Sequence, residues 1–354
     1  MAELDYLNAR VRGMSTALLS SGFFDQLLNS EGENILIDSF LNSTYEEELR
    51  SALTDKSGVD AISSAIRRQI ANTFNRIRRI APDEPRQLLN VQLSRWDMAN
   101  VLAVIRGKIN GATADEILEA TLPVGELTDA QLAELAAETD LDAVANALLT
   151  WNFTFAFTVR NAIAESVGET EEESDLKALS LTLNRGYFEW ALDQLRGRDE
   201  DTRTVRRQIQ HQIDLFNIKS ALDVVRQREK GYELADPELI SGGTMRRRAL
   251  TELTGVDNME SAFELLGKTP FQVAVERGIL AYGETRNLAV MERFLEDVVI
   301  EKGCRLFRTD PLSIAVPLGY IWRQYNEFVN LRILVRGKRY QMPANAIREE
   351  LLLV

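Results

Sequence analysis

The 354-residue chain has a single cysteine, Cys304, and a single histidine, His211. One cysteine leaves no intrachain disulfide and fits a reducing compartment. The two residues lie far apart in sequence, and neither belongs to a metal-ligand spacing. His211, in RRQIQHQIDLF, is expected on a helix surface, and Cys304, in EKGCRLF, as a small semi-buried side chain. Proline is sparse, with 8 in all, and alternating strand patterns are nearly absent. No apolar run reaches the ~18 residues that cross a bilayer. The nearest, LSIAVPLGYIW at 312–322, is broken by Pro317. Any membrane role is therefore expected to be peripheral, without insertion. The N-terminal MAELDYLNARVRG carries acids early and lacks an apolar core, unlike a secretory signal.

Positive charge is also in short supply. Lys and Arg number 41 against 54 Asp and Glu, a formal net charge of -13. That excludes the broadly basic surface needed for nonspecific nucleic-acid binding. Signatures of catalysis are missing as well. LLGKTPF (265–271) ends like a phosphate-binding loop, but Ala262 stands where its first glycine is required, and Pro270 follows the threonine. No GxGxxG follows a strand. Carboxylates are plentiful, yet no pair stands out as an acid/base couple. No catalytic, cofactor-binding or metal-ligating residue is singled out.

What the sequence does have is helical spacing almost throughout. Val101, Leu102, Val104 and Ile105 share a face, and Ile321, Tyr325, Phe328 and Leu331 continue a similar stripe. Asp310-Pro311 and Met342-Pro343 place proline where a helix can begin. Thr128-Asp129 opens a helix over AQLAELAAETDLDAVANALL, rich in strong helix formers. The expected fold class is all-α. Breaks fall at 107–115 (GKINGATAD), at Pro123-Val124-Gly125 and at Ser241-Gly242-Gly243. The run ETEEESD (169–175) is expected to be a solvated acidic loop or exposed helix start.

One short helix is written three times. NEFVNLRILVRGK (326–338) is echoed by WDMANVLAVIRGK (96–108) and, more faintly, by IDLFNIKSALDVV (213–225). Each copy has an acid, an asparagine three residues on, and an aliphatic residue next: Asp97 and Asn100, Asp214 and Asn217, Glu327 and Asn330. The same signature occurs at Glu284 and Asn287, so ordinary helix grammar also produces it. A second echo pairs LSSGFFDQLL (19–28) with LNRGYFEWAL (183–192), with RFLEDVV (293–299) as a looser copy. Two readings remain open: three related helical lobes, or three similar amphipathic helices in one bundle. In the first, the lobes cover 1–120 (with an inserted segment at about 40–95), 121–240 and 241–354. The acid suits a helix N-terminal field, and a buried asparagine would cross-link neighbouring segments. Clusters of arginine, at 67, 68, 76, 78 and 79, at 203, 206 and 207, and at 246–248, are expected mostly as solvated helix faces. Arg246, Arg247 and Arg248, just after the Gly-Gly turn, are the preferred candidate for a protein-contact face.

The N-terminal YLNARVRGM (6–14), the middle FNIKSAL with Asn217 and Lys219, and the stretch from Asp310-Pro311 through Tyr320, Glu327, Asn330, Leu331 and Arg332 to Gly337-Lys338 carry a family resemblance. Together they resemble the C subunit of the A/V-type (V-type) ATPase/ATP synthase, whose eukaryotic counterpart is the d subunit. Gln324 departs from the lysine frequent in related sequences. The resemblance implies three similar lobes in a funnel of pseudo-threefold symmetry. It also implies a non-catalytic socket, cytoplasmic and peripheral, between the D and F subunits of the rotor shaft and the membrane proteolipid ring. Neither cofactor nor metal is implied. The competing reading is a helical adaptor for soluble partners.

Overall fold

The computed structural model describes residues 2–30, 32–166, 172–232 and 237–353, and among them every regular element is a helix. The chain forms two compact units, Met1–Gln194 with Arg323–Leu353, and Leu195–Trp322.

The first unit opens with α1 (Ala2–Ser15), α2 (Ser21–Asn29), α3 (Glu33–Leu41) and α4 (Glu46–Ala52). Two long helices follow, α5 (Gly58–Ile80) and α6 (Asp83–Ile109), then α7 (Ala114–Glu119), α8 (Asp129–Ala137) and α9 (Leu141–Thr150). α10 (Ala156–Ser166) and α11 (Glu172–Gln194) complete this run. The second unit holds α12 (Glu200–Glu229), α13 (Arg247–Thr254), α14 (Met259–Leu266), α15 (Gln272–Thr285) and α16 (Leu288–Leu306). The last long helix, α17 (Ala315–Arg339), begins in the second unit and ends in the first, followed there by α18 (Ala344–Glu350).

Local chemistry sets these boundaries. In α5 the buried Ile62, Ile66, Ile70, Phe74 and Ile77 recur at helical spacing and make one apolar face. Thr113 with Glu116, and Thr128 with Gln131, form reciprocal capping boxes that start α7 and α8. The alanine-rich run after Thr128, expected as one helix, is two. Asp140 takes extended backbone and accepts the Ala143 N–H at 2.8 Å, so a new N-cap outcompetes the strong formers around it. Pro343 is the N-cap of α18, as its sequence suggests. Asp310-Pro311 leads instead into a turn, and α17 starts only at Ala315. There the Asp201 carboxylate accepts the Ile314 N–H at 2.8 Å.

Each unit has its own core. In the first, Trp96 meets Phe74 and Tyr325 edge-on at 5.5 and 5.3 Å. In the second, Phe263 and Tyr282 meet at 5.0 Å, and α16 lies against α12 and α15. Half-buried Lys219 of α12 reaches Glu292 and Glu296 of α16 at 3.1 and 2.9 Å.

Candidate functional site

The six residues of the acid–asparagine echo are all buried, Asp97 completely. Each asparagine grips the backbone of one later residue with both ends of its amide. Asn100 donates to the Leu122 carbonyl at 2.8 Å and accepts the Leu122 N–H at 2.7 Å. Asn217 does the same to Ile240, at 2.8 Å both ways. Asn330 does it to Leu352, at 2.8 and 3.0 Å. A buried amide must find partners for donor and acceptor alike, and a single residue outside the helices supplies both.

The acids act one turn earlier on the same helices. Asp97 accepts the N–H groups of Glu126 and Leu127 at 2.7 and 3.0 Å. Asp214 accepts those of Thr244 and Met245 at 3.1 and 3.0 Å, and the Thr244 hydroxyl as well. Glu327 accepts the Leu19 N–H at 2.6 Å, the Tyr45 hydroxyl at 2.7 Å and the Gln324 amide at 3.3 Å. The third clamp therefore closes on the beginning of the chain. Glycine precedes the clamped pair where the acid is aspartate. A Cβ on Gly125 would lie 2.0 Å from the Asp97 carboxylate, and one on Gly243 would lie 2.2 Å from that of Asp214. In the third copy Leu18 precedes Leu19, and the acid is one methylene longer.

A cation farther along each long helix completes the pattern. Lys108 donates to the carbonyls of Ala136 and Glu138, Arg228 to those of Thr254 and Val256, and Lys338 to those of Leu28 and Ser30. These carbonyls end α8, α13 and α2, where a positive charge suits the helix field and orphan acceptors need donors. The Arg-Gly-Lys echo of the sequence is this contact. Its glycine also leaves room for a short helix: a Cβ on Gly107 would meet Ile117 of α7, and one on Gly337 would meet Ile347 of α18. In the second copy the cation sits about a turn later, at Arg228. Sequence spacing does not single out these cations as functional residues, although Lys108 and Lys338 stand in the echo.

The electrostatics are those of buried acids used as fasteners. Burial pushes Asp97 up to about 7, against the lowering effect of the Glu126 and Leu127 N–H groups. Burial likewise raises Glu327 to about 7, against the donors from Tyr45, Leu19 and Gln324. Asp214 is raised by the same cause. Both oxygens of Asp97 and of Asp214 are engaged by the chain itself, so the chemistry here holds backbone in place.

Other sequence features take ordinary places. Gly267 is the C-cap of α14, Lys268 pairs with Glu264 at 2.9 Å, and Thr269 accepts the Phe271 N–H in the turn before α15. His211 is half-buried rather than on the surface. Burial, Lys302 and Arg207 lower its pKa to about 4. Cys304 is fully buried in α16. Two arginines expected on a solvated face turn inward instead. Arg67 binds the Thr121 carbonyl at 2.7 Å and Asp129 at 2.8 Å, and Arg78 binds Asn90 at 3.0 Å and the Gly125 carbonyl. Arg246, Arg247 and Arg248 are exposed at the start of α13. Arg248 pairs with Glu252 at 2.9 Å, and Arg246 caps the helix without a side-chain bond. Residues 169–171 of the acidic run, and the side chains of 172–175, lie outside the described residues. Among the described residues no group of His, Cys, Asp and Glu could hold a metal ion, and no helix is long and apolar enough to cross a membrane.

Comparison with known proteins gives the same family from several sides. The C subunit of the A-type ATP synthase of Haloferax volcanii is 28% identical over 355 residues, covering 99% of this chain and 97% of that protein. Its A-type counterpart in Methanosarcina acetivorans is 26% identical over 356 residues, covering 99% and 92%. The C subunit of the V-type ATP synthase of Deinococcus radiodurans is 23% identical over 348 residues, covering 98% and 91%. The model of the ATP synthase (C/AC39) subunit family matches residues 7–350, nearly the whole length that carries the three clamps, and the chain belongs to that family.

Proposed function

We propose that this chain is the non-catalytic central-stalk component of an A/V-type ATP synthase, a socket that couples the rotor shaft to the membrane proteolipid ring. The observation that carries this reading is the family match across residues 7–350. The clamps support it physically. Torque transmission requires stiffness, and each of α6, α12 and α17 is fastened to other parts of the chain by an acid, an amide and a cation. The chain itself contributes binding surfaces and rigidity, and ATP turnover belongs to other components of the assembly.

The finer reading assigns the D and F subunits as the shaft and places the protein at the cytoplasmic face, peripheral on the ring. It also assigns three lobes in a pseudo-threefold funnel, at about residues 1–120, 121–240 and 241–354. The order of helices supports the lobes: α2, α8 and α13 each receive the cation of a long helix at their C-terminal ends. In this reading 40–95 is no insertion, because α4 and α5 take the places in the order that α10 and α11, and α15 and α16, take later.

Arg246, Arg247 and Arg248 are proposed as part of an interface with the shaft or ring. Three cations at a helix N-terminus oppose the helix field, and at the same place α8 has Asp129. Replacing all three with glutamate is expected to weaken assembly with shaft and ring at least about tenfold. Helix content should stay unchanged, since acids suit that helix end. Co-sedimentation of the purified chain with isolated rotor components, beside circular dichroism, measures both. Unchanged assembly removes the patch from the interface.

A further inference from the structure

The third clamp differs from the other two in what it joins. The backbone that Asp97 and Asp214 hold lies 29 to 31 residues farther along the same stretch of chain. The groups on Glu327 come from 308 and 282 residues away. The 16–30 segment, which carries α2, is attached to α17 through the Leu19 N–H on Glu327 and the Leu28 and Ser30 carbonyls on Lys338. Arg348 of α18 also pairs with Asp25 in α2, at the exposed surface.

The hydrogen-bond partners of Glu327 are neutral. Its side chain is 6% exposed, and its hydrogen-bond partners among the described residues are an N–H, a phenol and an amide. The 16–20 segment, Thr-Ala-Leu-Leu-Ser, brings no titratable side chain to it. The turn before α4 brings the Tyr45 hydroxyl, and α17 brings Gln324. Asp97, by contrast, feels Arg78, and Asp214 feels Lys302. The hydroxyl of Tyr45 can donate or accept, so the same three partners satisfy either protonation state. Only the ionised state places a charge there without a cation.

We propose that Glu327 is a proton-operated latch: neutral, it holds the 16–30 segment on α17; ionised, it lets that segment open locally while the long helices stay folded. The latch belongs to the fold and does not depend on the coupling role. Its direction follows from burial. The carboxyl is raised to about 7 when closed and returns to about 4.3 when opened to water. A raised pKa gives closure that is complete at low pH and is lost as pH rises through the closed value.

The test is hydrogen exchange by mass spectrometry on the full chain in a series from about pH 5 to pH 9 that includes pH 6 and pH 8, with times scaled for the intrinsic rate. Protection of residues 16–29 is expected to be about tenfold lower at pH 8, the change that a closed value near 7 gives across that interval. Glu327→Gln, which fixes the neutral shape, should keep the segment protected at both values. Tyr45→Phe, which removes a donor to the ionised form, should move the midpoint of the change to higher pH. Equal protection of the wild-type segment at pH 6 and 8 overturns the latch. So does a tenfold change that persists in Glu327→Gln, or a midpoint unmoved by Tyr45→Phe.

Discussion

Replacing Asn217 with leucine is expected to destabilise the protein by about 3–5 kcal/mol. The two side chains share the same branched heavy-atom skeleton, with leucine the bulkier, so the main change is in hydrogen bonding. What is lost is the pair of 2.8 Å bonds to Ile240. Ile240 is itself buried, so its N–H and carbonyl are left without partners where water does not reach. Each orphaned group costs roughly 1–3 kcal/mol. Asn217→Asp tests the same point differently. It keeps the acceptor for the Ile240 N–H and turns the donor that faced the carbonyl into a second acceptor. Urea unfolding followed by circular dichroism reads both variants. A leucine variant within about 1 kcal/mol of wild type would show that the grip on Ile240 adds little to the fold.

The second large effect is expected at Gly125. Its Cβ would fall 2.0 to 2.3 Å from all three carboxyl-group atoms of Asp97. Asp97 cannot swing away without breaking its bonds to Glu126 and Leu127. Gly125→Ala should therefore cost about 2–4 kcal/mol, through overpacking together with a lost carboxylate clamp. Gly283→Ala is the control. It lies within α15 with nothing inside 4 Å of the added carbon. That change should be neutral or stabilising by up to about 1 kcal/mol. Equal effects at the two glycines would mean that close approach to Asp97 is not what Gly125 provides.

The two sites also show which parts of this fold a sequence reveals. The acid, the asparagine and the Arg-Gly-Lys ending share one helix, so their spacing is fixed and can be read. Their partners sit on irregular backbone, and backbone N–H groups leave no residue signature. Gly125 and Gly243 are the available clue, since both stand where the chain approaches an aspartate. The partner of Glu327 is beyond reach, because Leu19 is 308 residues away. The signature alone also misleads. Asn287 fits it, yet it is exposed and caps α16 by accepting the Ala289 N–H. The resemblance of 19–28 to 183–192 joins α2 to the interior of α11, so amphipathic patterning, not a shared position, accounts for it. Arg67 and Arg78 read as solvated charges because composition does not show which loop folds over a helix.

The clamps also bear on how such a protein could transmit torque. Helices packed only by apolar faces can slide, whereas reciprocal amide bonds to one residue fix register along the helix axis. The acid and the cation, on opposite sides of the asparagine along the same helix, fix it at two further points. Six buried polar residues used this way give rigidity without a catalytic centre.

The coupling role is tested most directly by one co-purification. The chain is tagged and expressed in its own source, and the membranes are solubilised in mild detergent. The proteins that come down with it are then identified. A proteolipid ring together with shaft components is expected, with ATPase activity in the assembly and none in the isolated chain. Recovery of soluble proteins alone, with no rotor component, would contradict the coupling role and favour a helical adaptor.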